Sequence, residues 1–348
     1  MLKLDIELTK NPKEKPVDES QLGFGRIFTD HMFLMDYETG KGWNNARIVP
    51  YAPVSFDLAT MVFHYGQAVF EGLKAYRAKD GGILLFRPRD NFLRMNKSTE
   101  RMCMPLLDAD EMVDSLKQLL RIEKDWVPSS PGTSLYIRPT MIGTDVALGV
   151  RPSDKYLFFI ILSPVGAYYA EGLKPVSISV EEDYVRAVRG GTGSIKCAGN
   201  YAASLITGQK AHDCGCVQAL WLDGVHRKYV EEVGSMNIFF KIRGKLVTPA
   251  LTGSILPGIT RDSVIRLARD MGIAVEERQM EIGELFRASE DGSLEEVFGT
   301  GTAAVISGVS ELVLGQKRIV VNDGKLGALS AKLYELLTGI QYGALPDK

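Results

Sequence analysis

A single lysine, Lys196, lies in a stretch that is rich in glycine and carries no other charge. The stretch runs from Gly190 to Tyr201. Glycine lets the backbone come close to a bound group, and a lysine held away from water has a lowered pKa and can act as a nucleophile or proton carrier. On this pattern alone a solvated loop lysine is the commoner interpretation, so catalysis by Lys196 needs further support.

Two adjacent carboxylates, Glu231 and Glu232, precede small residues and the apolar segment Ile238-Phe239-Phe240. This order is compatible with a buried acid beside a strand. The alternative is an exposed charge in a hairpin, which is the usual fate of a glutamate.

Two glycine-containing turns could hold an anionic group. Leu256 to Asp262 opens a predicted helix with Pro-Gly, and free N–H groups at such a start suit a phosphate, although an ordinary cap is commoner. Phe298 to Ala304 is a small, hydroxyl-rich turn that could cradle a phosphate or carboxylate, and it is weak evidence alone. Together, the lysine, the carboxylate and the two turns describe pyridoxal phosphate binding, in which lysine forms the Schiff base and a carboxylate keeps the pyridine nitrogen protonated.

These groups need a mixed framework to position them. Apolar spacing predicts helices over 90–102, 108–122, 200–212 and 260–271. Alternation and turn residues predict strands at 83–86, 134–137, 176–180 and 219–222. The longest apolar run, Leu157 to Ala170, contains Pro164 and is too short for a membrane span, so we expect a buried strand that turns at 163–166. The fold class is therefore α/β or α+β.

The composition of the chain argues against several classes of function. The chain has 348 residues, with 41 basic and 43 acidic side chains and a net charge of −2, which argues against nucleic-acid and membrane-surface binding. Four cysteines are too few for a disulfide framework, and the N-terminus has no apolar signal segment, so we expect a cytoplasmic protein. His212 to Cys216 has no partner pair at zinc spacing, and we predict a helix end and no metal site.

The chain resembles the branched-chain-amino-acid aminotransferases, pyridoxal phosphate enzymes of fold type IV, from about Phe24 to Gly343. Besides the four motifs above, the matching segments lie in the first half: Phe24-Gly25-Arg26 to Met32, His64-Tyr65-Gly66 to Gly72, and Tyr136-Ile137-Arg138-Pro139. The resemblance implies a smaller N-terminal α/β domain, residues 1–168, a linker to about 178, and a larger domain, 179–348, with a barrel-like sheet that binds the cofactor. It also implies a homodimer whose subunits share parts of the substrate pocket.

The same resemblance assigns roles to residues. Lys196 would be the Schiff-base lysine and proton carrier, Glu232 would pair with the pyridine nitrogen, and Tyr201 with the phenolic oxygen. The expected phosphate ligands are Arg94, Ile259, Thr260 and Thr302, with Arg186 nearby. The expected carboxylate contacts are Tyr136, Arg138 and Ala303, and the expected apolar walls are Phe24, Tyr65, Phe70, Val150 and Tyr168.

The implied reaction is transamination of L-leucine, L-isoleucine and L-valine with 2-oxoglutarate. Apolar pockets distinguish one methylene by only about 1–3 kcal/mol, so broad use of all three is expected. The alternatives are a D-amino-acid aminotransferase or aminodeoxychorismate lyase of the same fold, or a cofactor-free binding protein on the same scaffold. Mammalian relatives carry a Cys-x-x-Cys pair where this chain has Ala304 and Ser307, so a thiol switch there is not expected.

Overall fold

The computed structural model describes residues 3–166 and 174–347. The described chain forms two compact units. The first contains residues 3–166, 195–199 and 341–344, and the second contains 174–194, 200–340 and 345–347. Tyr168 and residues 169–173 of the predicted linker lie outside the described residues, so the predicted domain boundary stays a prediction.

A mixed sheet is the framework of the first unit. Its strands lie in the order β1-β3-β2-β8-β7-β5-β6, and β4 also pairs with β7. The strands are β1 (Asp5–Ile6), β2 (His31–Glu38), β3 (Gly42–Pro50), β4 (Ala68–Phe70), β5 (Leu73–Arg77), β6 (Ile83–Leu85), β7 (Ser134–Gly143) and β8 (Lys155–Val165). Pairing is antiparallel except between β1 and β3.

Two long helices cover this sheet, after the short α1 (Met61–Tyr65). They are α2 (Pro88–Arg101) and α3 (Ala109–Ile122). The Asp108 side chain caps α3 by accepting hydrogen bonds from two first-turn N–H groups, and the apolar stripe of α3 is buried. The predicted helices at 90–102 and 108–122 are therefore confirmed.

The second unit is built on a sheet that closes. Its strands follow the order β11-β10-β9-β16-β15-β12-β13-β14, with β17 on β16, and an additional β11–β12 pairing closes six strands into a ring. The predicted barrel-like sheet is thereby confirmed. The strands are β9 (Val176–Val180), β10 (Gln218–Leu222), β11 (Val230–Val233), β12 (Met236–Ile242), β13 (Lys245–Thr248), β14 (Val275–Glu277), β15 (Leu294–Gly301), β16 (Val305–Leu314) and β17 (Lys317–Val320).

Five helices complete the described chain: α4 (Ala198–Ala202), α5 (Leu205–Asp213), α6 (Ile259–Asp270), α7 (Ile282–Glu290) and α8 (Ala328–Gln341). The predicted helix at 260–271 is confirmed as α6. Apolar side chains from the strands of the second unit and from α7 form its main core.

Two predicted elements were wrong in detail. The helix predicted over 200–212 is broken into α4 and α5. At the break the Ser204 hydroxyl and the Ser204 N–H both donate to the Tyr201 carbonyl, so a side chain competes for a backbone acceptor. The predicted turn at 163–166 is instead the end of β8, which continues through Pro164. The pairing of β2 with β8 ends at Ile160, and the pairing of β7 with β8 continues to Val165. Pro164 therefore lies where one neighbouring strand has ended, and proline is tolerated at such an edge.

Within residues 3–166 and 174–347, no helix is both long and apolar enough to span a membrane.

Candidate active site

The backbone at Lys196 is held by two elements of the first unit. Val69 and Cys197 form a β-bridge, and the Phe70 N–H donates to the Lys196 carbonyl at 3.1 Å. The Lys196 N–H donates to the Ser98 hydroxyl at 3.0 Å, which links it to α2. The glycine-rich approach to Lys196 therefore ends in a segment anchored to β4 and α2.

The side chain of Lys196 lies against an aromatic ring. Its Nζ is 5.0 Å from the centre of the Phe70 ring, and the Arg138 guanidinium carbon is 4.7 Å from the same centre. Burial lowers the pKa of Lys196 to about 8, and the nearby positive charge of Arg94 adds to this effect. A neutral amine is therefore accessible near neutral pH, as a nucleophile or proton carrier requires.

Arg94 forms a two-point ion pair with Glu71. Arg94 Nε donates to Glu71 Oε1 and Arg94 Nη2 to Glu71 Oε2, both at 2.8 Å, and the Asn91 amide also donates to Oε2. Burial alone would raise the pKa of Glu71, but the charge and hydrogen bonds of Arg94 hold it below its usual value. The pair orients the Arg94 guanidinium beside Lys196.

Tyr136 and Arg138 lie next to each other on β7. Arg138 Nη2 donates to the Tyr136 hydroxyl at 3.1 Å, and the Phe24 ring meets the Tyr136 ring edge-on at 5.0 Å. A Cβ on Gly72 would lie 2.2 Å from the Tyr136 hydroxyl, so any larger residue there would displace the Tyr136 side chain. Arg138 Nε is buried and has no hydrogen-bond partner among the described residues, a donor that an anionic ligand would satisfy.

Tyr65 and Val150 lie on an exposed surface of the first unit. Val150 is 85% exposed and Tyr65 is 38% exposed. The Tyr65 hydroxyl donates to the Leu148 carbonyl, which joins α1 to the segment before Val150. These two predicted pocket walls are therefore exposed in the first unit.

In the second unit, Glu232 is buried on β11 and accepts two hydrogen bonds at one oxygen. The Leu256 N–H donates to Glu232 Oε1 at 2.5 Å, and Arg186 Nη2 donates to it at 2.8 Å. The Arg186 side chain is itself buried. These donors stabilise a charged carboxylate in the barrel wall.

Strand register places the two glycine-containing turns near Glu232. Glu232 pairs with Asn237, and Asn237 pairs with Thr300 across the next strand. The Asn237 amide donates to the Leu256 carbonyl at 2.9 Å, and a Cβ on Gly258 would lie 2.0 Å from Asn237 Oδ1. The start of α6 is thus fastened to the barrel beside Glu232.

The start of α6 and the end of β15 offer donors for an anion. α6 begins at Ile259 and Thr260 after a glycine N-cap, and a helix start of this kind suits a phosphate. Thr302 and Ala303 occupy the turn after β15. Thr300 Oγ1 and Ser307 Oγ, which flank this turn, are buried without hydrogen-bond partners in the described part of the chain.

Each set of residues has features that suit a part of pyridoxal phosphate. One set supplies an amine whose pKa is lowered, and the other supplies a buried acceptor carboxylate, a helix start and unsatisfied hydroxyl groups. Tyr201, the remaining predicted cofactor ligand, lies in α4. No group of three or more metal-ligating side chains occurs within residues 3–166 and 174–347.

Several supporting residues had no role in the sequence interpretation. Glu71 orients Arg94, Ser98 holds the Lys196 backbone, and the Leu256 N–H binds Glu232. Glu71 was visible in the Phe-Glu-Gly motif, yet no sequence pattern pairs it with an arginine 23 residues away. Backbone donors such as Leu256 leave no side-chain signal at all.

Comparisons with known proteins identify the family. Residues 68–312 match the model of the class IV amino-transferases. Branched-chain-amino-acid aminotransferase 2 of Bacillus subtilis (strain 168) is 57% identical over 343 residues, covering 99% of this chain and 94% of the relative.

Solved structures agree with this match. The branched-chain amino acid aminotransferase of Escherichia coli is 28% identical with a TM-score of 0.74, covering 92% of this chain and 96% of that chain. The enzyme of Thermobaculum terrenum, solved in its PLP form, is 25% identical with a TM-score of 0.71, covering 89% of this chain and 94% of that chain. The chain therefore belongs to the class IV aminotransferases and, among them, to the branched-chain-amino-acid aminotransferase family, which has fold type IV.

Proposed function

We propose that this protein transfers the amino group of L-leucine, L-isoleucine or L-valine to 2-oxoglutarate, reversibly, with pyridoxal 5'-phosphate as its cofactor. The products are branched 2-oxo acids and L-glutamate, and the role is the last step of branched-chain amino acid biosynthesis in the cytoplasm. The observation that carries the proposal is the Lys196 amine, held against Phe70 with a pKa lowered to about 8, in a chain of this family. The Thermobaculum terrenum relative was solved as a holo form with this cofactor, which supports the same choice here.

When bound, the cofactor supplies an electron sink that lets a proton leave the substrate Cα. Lys196 would hold the cofactor covalently, and its amine, once freed by the incoming amino acid, would move the Cα proton. Its lowered pKa suits both tasks, because the amine takes and gives up a proton close to neutral pH.

The remaining polar residues hold the cofactor. Glu232 would pair with the pyridine nitrogen, and the Leu256 N–H and Arg186 would keep the carboxylate charged. Tyr201 would donate to the phenolic oxygen. Arg94, Ile259, Thr260 and Thr302 would bind the phosphate.

The substrate pocket combines apolar walls with donors for carboxylates. Tyr136, Arg138 and the Ala303 N–H bind carboxylates, and the unsatisfied Nε of Arg138 supports this role. Phe24 packs edge-on against Tyr136, and Phe70 lies under Arg138, which supports their roles as walls. Tyr65, Val150 and Tyr168 complete the walls.

The protein acts as a homodimer in this proposal. Seven exposed apolar side chains lie on two neighbouring segments, here called the 54–65/146–150 surface: Val54, Leu58, Phe63, Tyr65, Val146, Leu148 and Val150. Backbone bonds between Ala147 and Ala59, and between Met61 and Asp145, join the segments. An exposed apolar patch of this kind indicates a protein interface, and two predicted pocket walls lie on it, so a second copy would complete the pocket.

The first experiment is an absorbance spectrum of the purified protein with added L-leucine, with D-leucine, and with a Lys196→Ala control. We expect a cofactor band that L-leucine converts to the amine form, with no response to D-leucine or in the control. A response to D-leucine would favour the D-amino-acid aminotransferases. Absence of a band after incubation with pyridoxal phosphate would exclude the proposed reaction.

The dimer has its own test. Leu58→Glu with Leu148→Glu should give monomers in analytical ultracentrifugation and lower the activity, because charges would be buried in the interface. Val320→Glu, at another exposed apolar position, on β17, should leave the dimer intact. Monomers in the wild-type protein would contradict the proposal.

A further inference from the structure

Glu231, the neighbour of Glu232 on β11, is buried and has no part in the proposed chemistry. It is 6% exposed. One carboxylate oxygen accepts a hydrogen bond from the Ser254 hydroxyl, and the other, Oε2, is buried with no hydrogen-bond partner among the described residues. Burying a carboxylate that lacks hydrogen bonds costs free energy of folding, so Glu231 is expected to have a compensating role.

Ser254 connects Glu231 to two donors of Glu232, Arg186 and the Leu256 N–H. The Ser254 carbonyl accepts a hydrogen bond from Arg186 Nη2 at 3.1 Å, and the same nitrogen donates to Glu232 Oε1 at 2.8 Å. Two residues after Ser254, the Leu256 N–H donates to that oxygen at 2.5 Å. A displacement of Ser254 would therefore move both groups that hold Glu232.

The packing around Ser254 leaves little freedom. A Cβ on Gly193 would lie 2.1 Å from the Ser254 carbonyl oxygen, so the two backbones are in close contact. The Gly193 carbonyl also accepts a hydrogen bond from Arg186 Nη2 at 3.0 Å. Arg186 Nη2 thus bonds the carbonyls of both Gly193 and Ser254 as well as Glu232 Oε1.

Glu231 and Glu232 point to opposite faces of β11, because successive side chains alternate along a strand. Glu231 and Ser254 line a cavity of about 200 Å³. The other titratable groups of its lining are Arg189, Asp223, His226 and Tyr229. Burial raises the pKa of Glu231 to about 7, with the charge of Glu232 adding to the rise and that of Arg186 opposing it.

We propose that Glu231 is a positioning residue for Glu232: through Ser254 it fixes Arg186 and the Leu256 N–H, and so sets the orientation of Glu232 toward the cofactor nitrogen. The inference rests on the proposed function, because it takes Glu232 as the partner of that nitrogen. Glu231 itself touches neither cofactor nor substrate.

The test is equilibrium binding of pyridoxal phosphate to the apoprotein, together with the spectrum of the bound cofactor. Glu231→Leu, which has no acceptor for Ser254, should weaken binding about tenfold and shift the cofactor band. Glu231→Gln, whose amide oxygen still accepts that bond, should stay within about threefold of the wild type. Ser254→Ala removes only the hydroxyl group and should reproduce Glu231→Leu, so it carries the test if the leucine variant does not fold.

A double-mutant cycle distinguishes an effect of Glu231 through Ser254 from a general loss of folding. If Glu231 acts through Ser254, then Ser254→Ala should cause no further loss in the Glu231→Leu protein. Additive losses would overturn the proposal. The control Glu296→Leu removes another buried glutamate that binds N–H groups at the start of α8, and it should lower thermal stability without changing cofactor affinity.

Wild-type affinity in both Glu231→Leu and Ser254→Ala would overturn the assignment. A wild-type protein that does not bind pyridoxal phosphate would instead overturn the proposed function, and the inference with it.

Discussion

The surroundings of Lys196 favour the neutral amine, whereas those of Glu232 favour the charged carboxylate. Lys196 is partly buried beside Arg94 and Arg138, so its positive form is disfavoured and its pKa falls to about 8. Glu232 is buried as well, but it accepts bonds from the Leu256 N–H and a buried guanidinium, which favour its negative form. Lys196 must exchange a proton and Glu232 must keep its charge, so the two side chains need different neighbouring groups.

The two surroundings are also built differently. Lys196 is surrounded by side chains: an aromatic ring, two arginines and the carboxylate of Glu71. Glu232 depends on strand register, on a backbone N–H and on the side chain of Arg186. Point substitutions should therefore alter the charge balance around Lys196 directly, whereas Glu232 should be sensitive to displacements of the backbone.

The largest expected effect is that of Lys196→Ala, which should lower kcat for L-leucine and 2-oxoglutarate by about a thousandfold or more, since both the covalent anchor and the proton carrier are lost. Consumption of 2-oxoglutarate measures it. Lys74 provides a comparison, because burial lowers its pKa to about 8 as well. Borohydride reduction of the loaded wild-type enzyme should fix the cofactor to the peptide with Lys196, and label on the Lys74 peptide would contradict the assignment.

Glu232→Gln tests the group whose charge must stay. The amide keeps the shape of the side chain but removes the negative charge, so we expect kcat to fall about a hundredfold, as when a fixed electrostatic contact is lost. Steady-state kinetics with L-leucine check this. Glu296→Gln, in a buried glutamate that binds the start of α8, should leave kcat unchanged. Similar losses in both variants would mean that the effect is one of folding.

The pH dependence of cofactor capture tests the state of Lys196. Because its pKa is lowered to about 8, the amine is protonated below that pH and neutral above it. The neutral fraction rises from about one tenth at pH 7 to about nine tenths at pH 9, so capture by the apoprotein should accelerate about tenfold over this range and then level off. Stopped-flow absorbance measures the rate. A midpoint near that of a solvated lysine would contradict the proposed surroundings.

Local patterns predicted much of this protein. Helices α2, α3 and α6 were predictable because their apolar spacing and their start residues lie within one short stretch of sequence each. Lys196 stood out as a lone charge in a glycine-rich stretch, and Glu232 as one of two carboxylates before small residues and an apolar segment. The chemistry of both was thus accessible from residue type and neighbourhood.

Contacts between distant residues were not predictable in the same way. The pairing of Glu71 with Arg94, and the register that sets Glu232 beside Asn237, depend on how whole strands and helices pack. The pKa of Lys196 likewise depends on burial and on Arg94, which lies far earlier in the chain. Sequence patterns located the reactive groups, whereas tertiary packing determines their charge states.

Glu71→Gln should have the smallest effect on rate and be the most informative about the Lys196 surroundings. The negative charge of Glu71 raises the pKa of Lys196, so its removal should move the midpoint of cofactor capture to lower pH and change the rate near neutral pH by less than about threefold. Loss of the buried pair with Arg94 should also destabilise the fold by about 3 kcal/mol, measured by urea denaturation. Asn91→Ala removes a hydrogen bond to the same carboxylate but no charge, so it should lower stability and leave the midpoint in place. If both variants shift the midpoint equally, packing and not charge sets the pKa of Lys196, and the contrast with Glu232 loses its electrostatic basis.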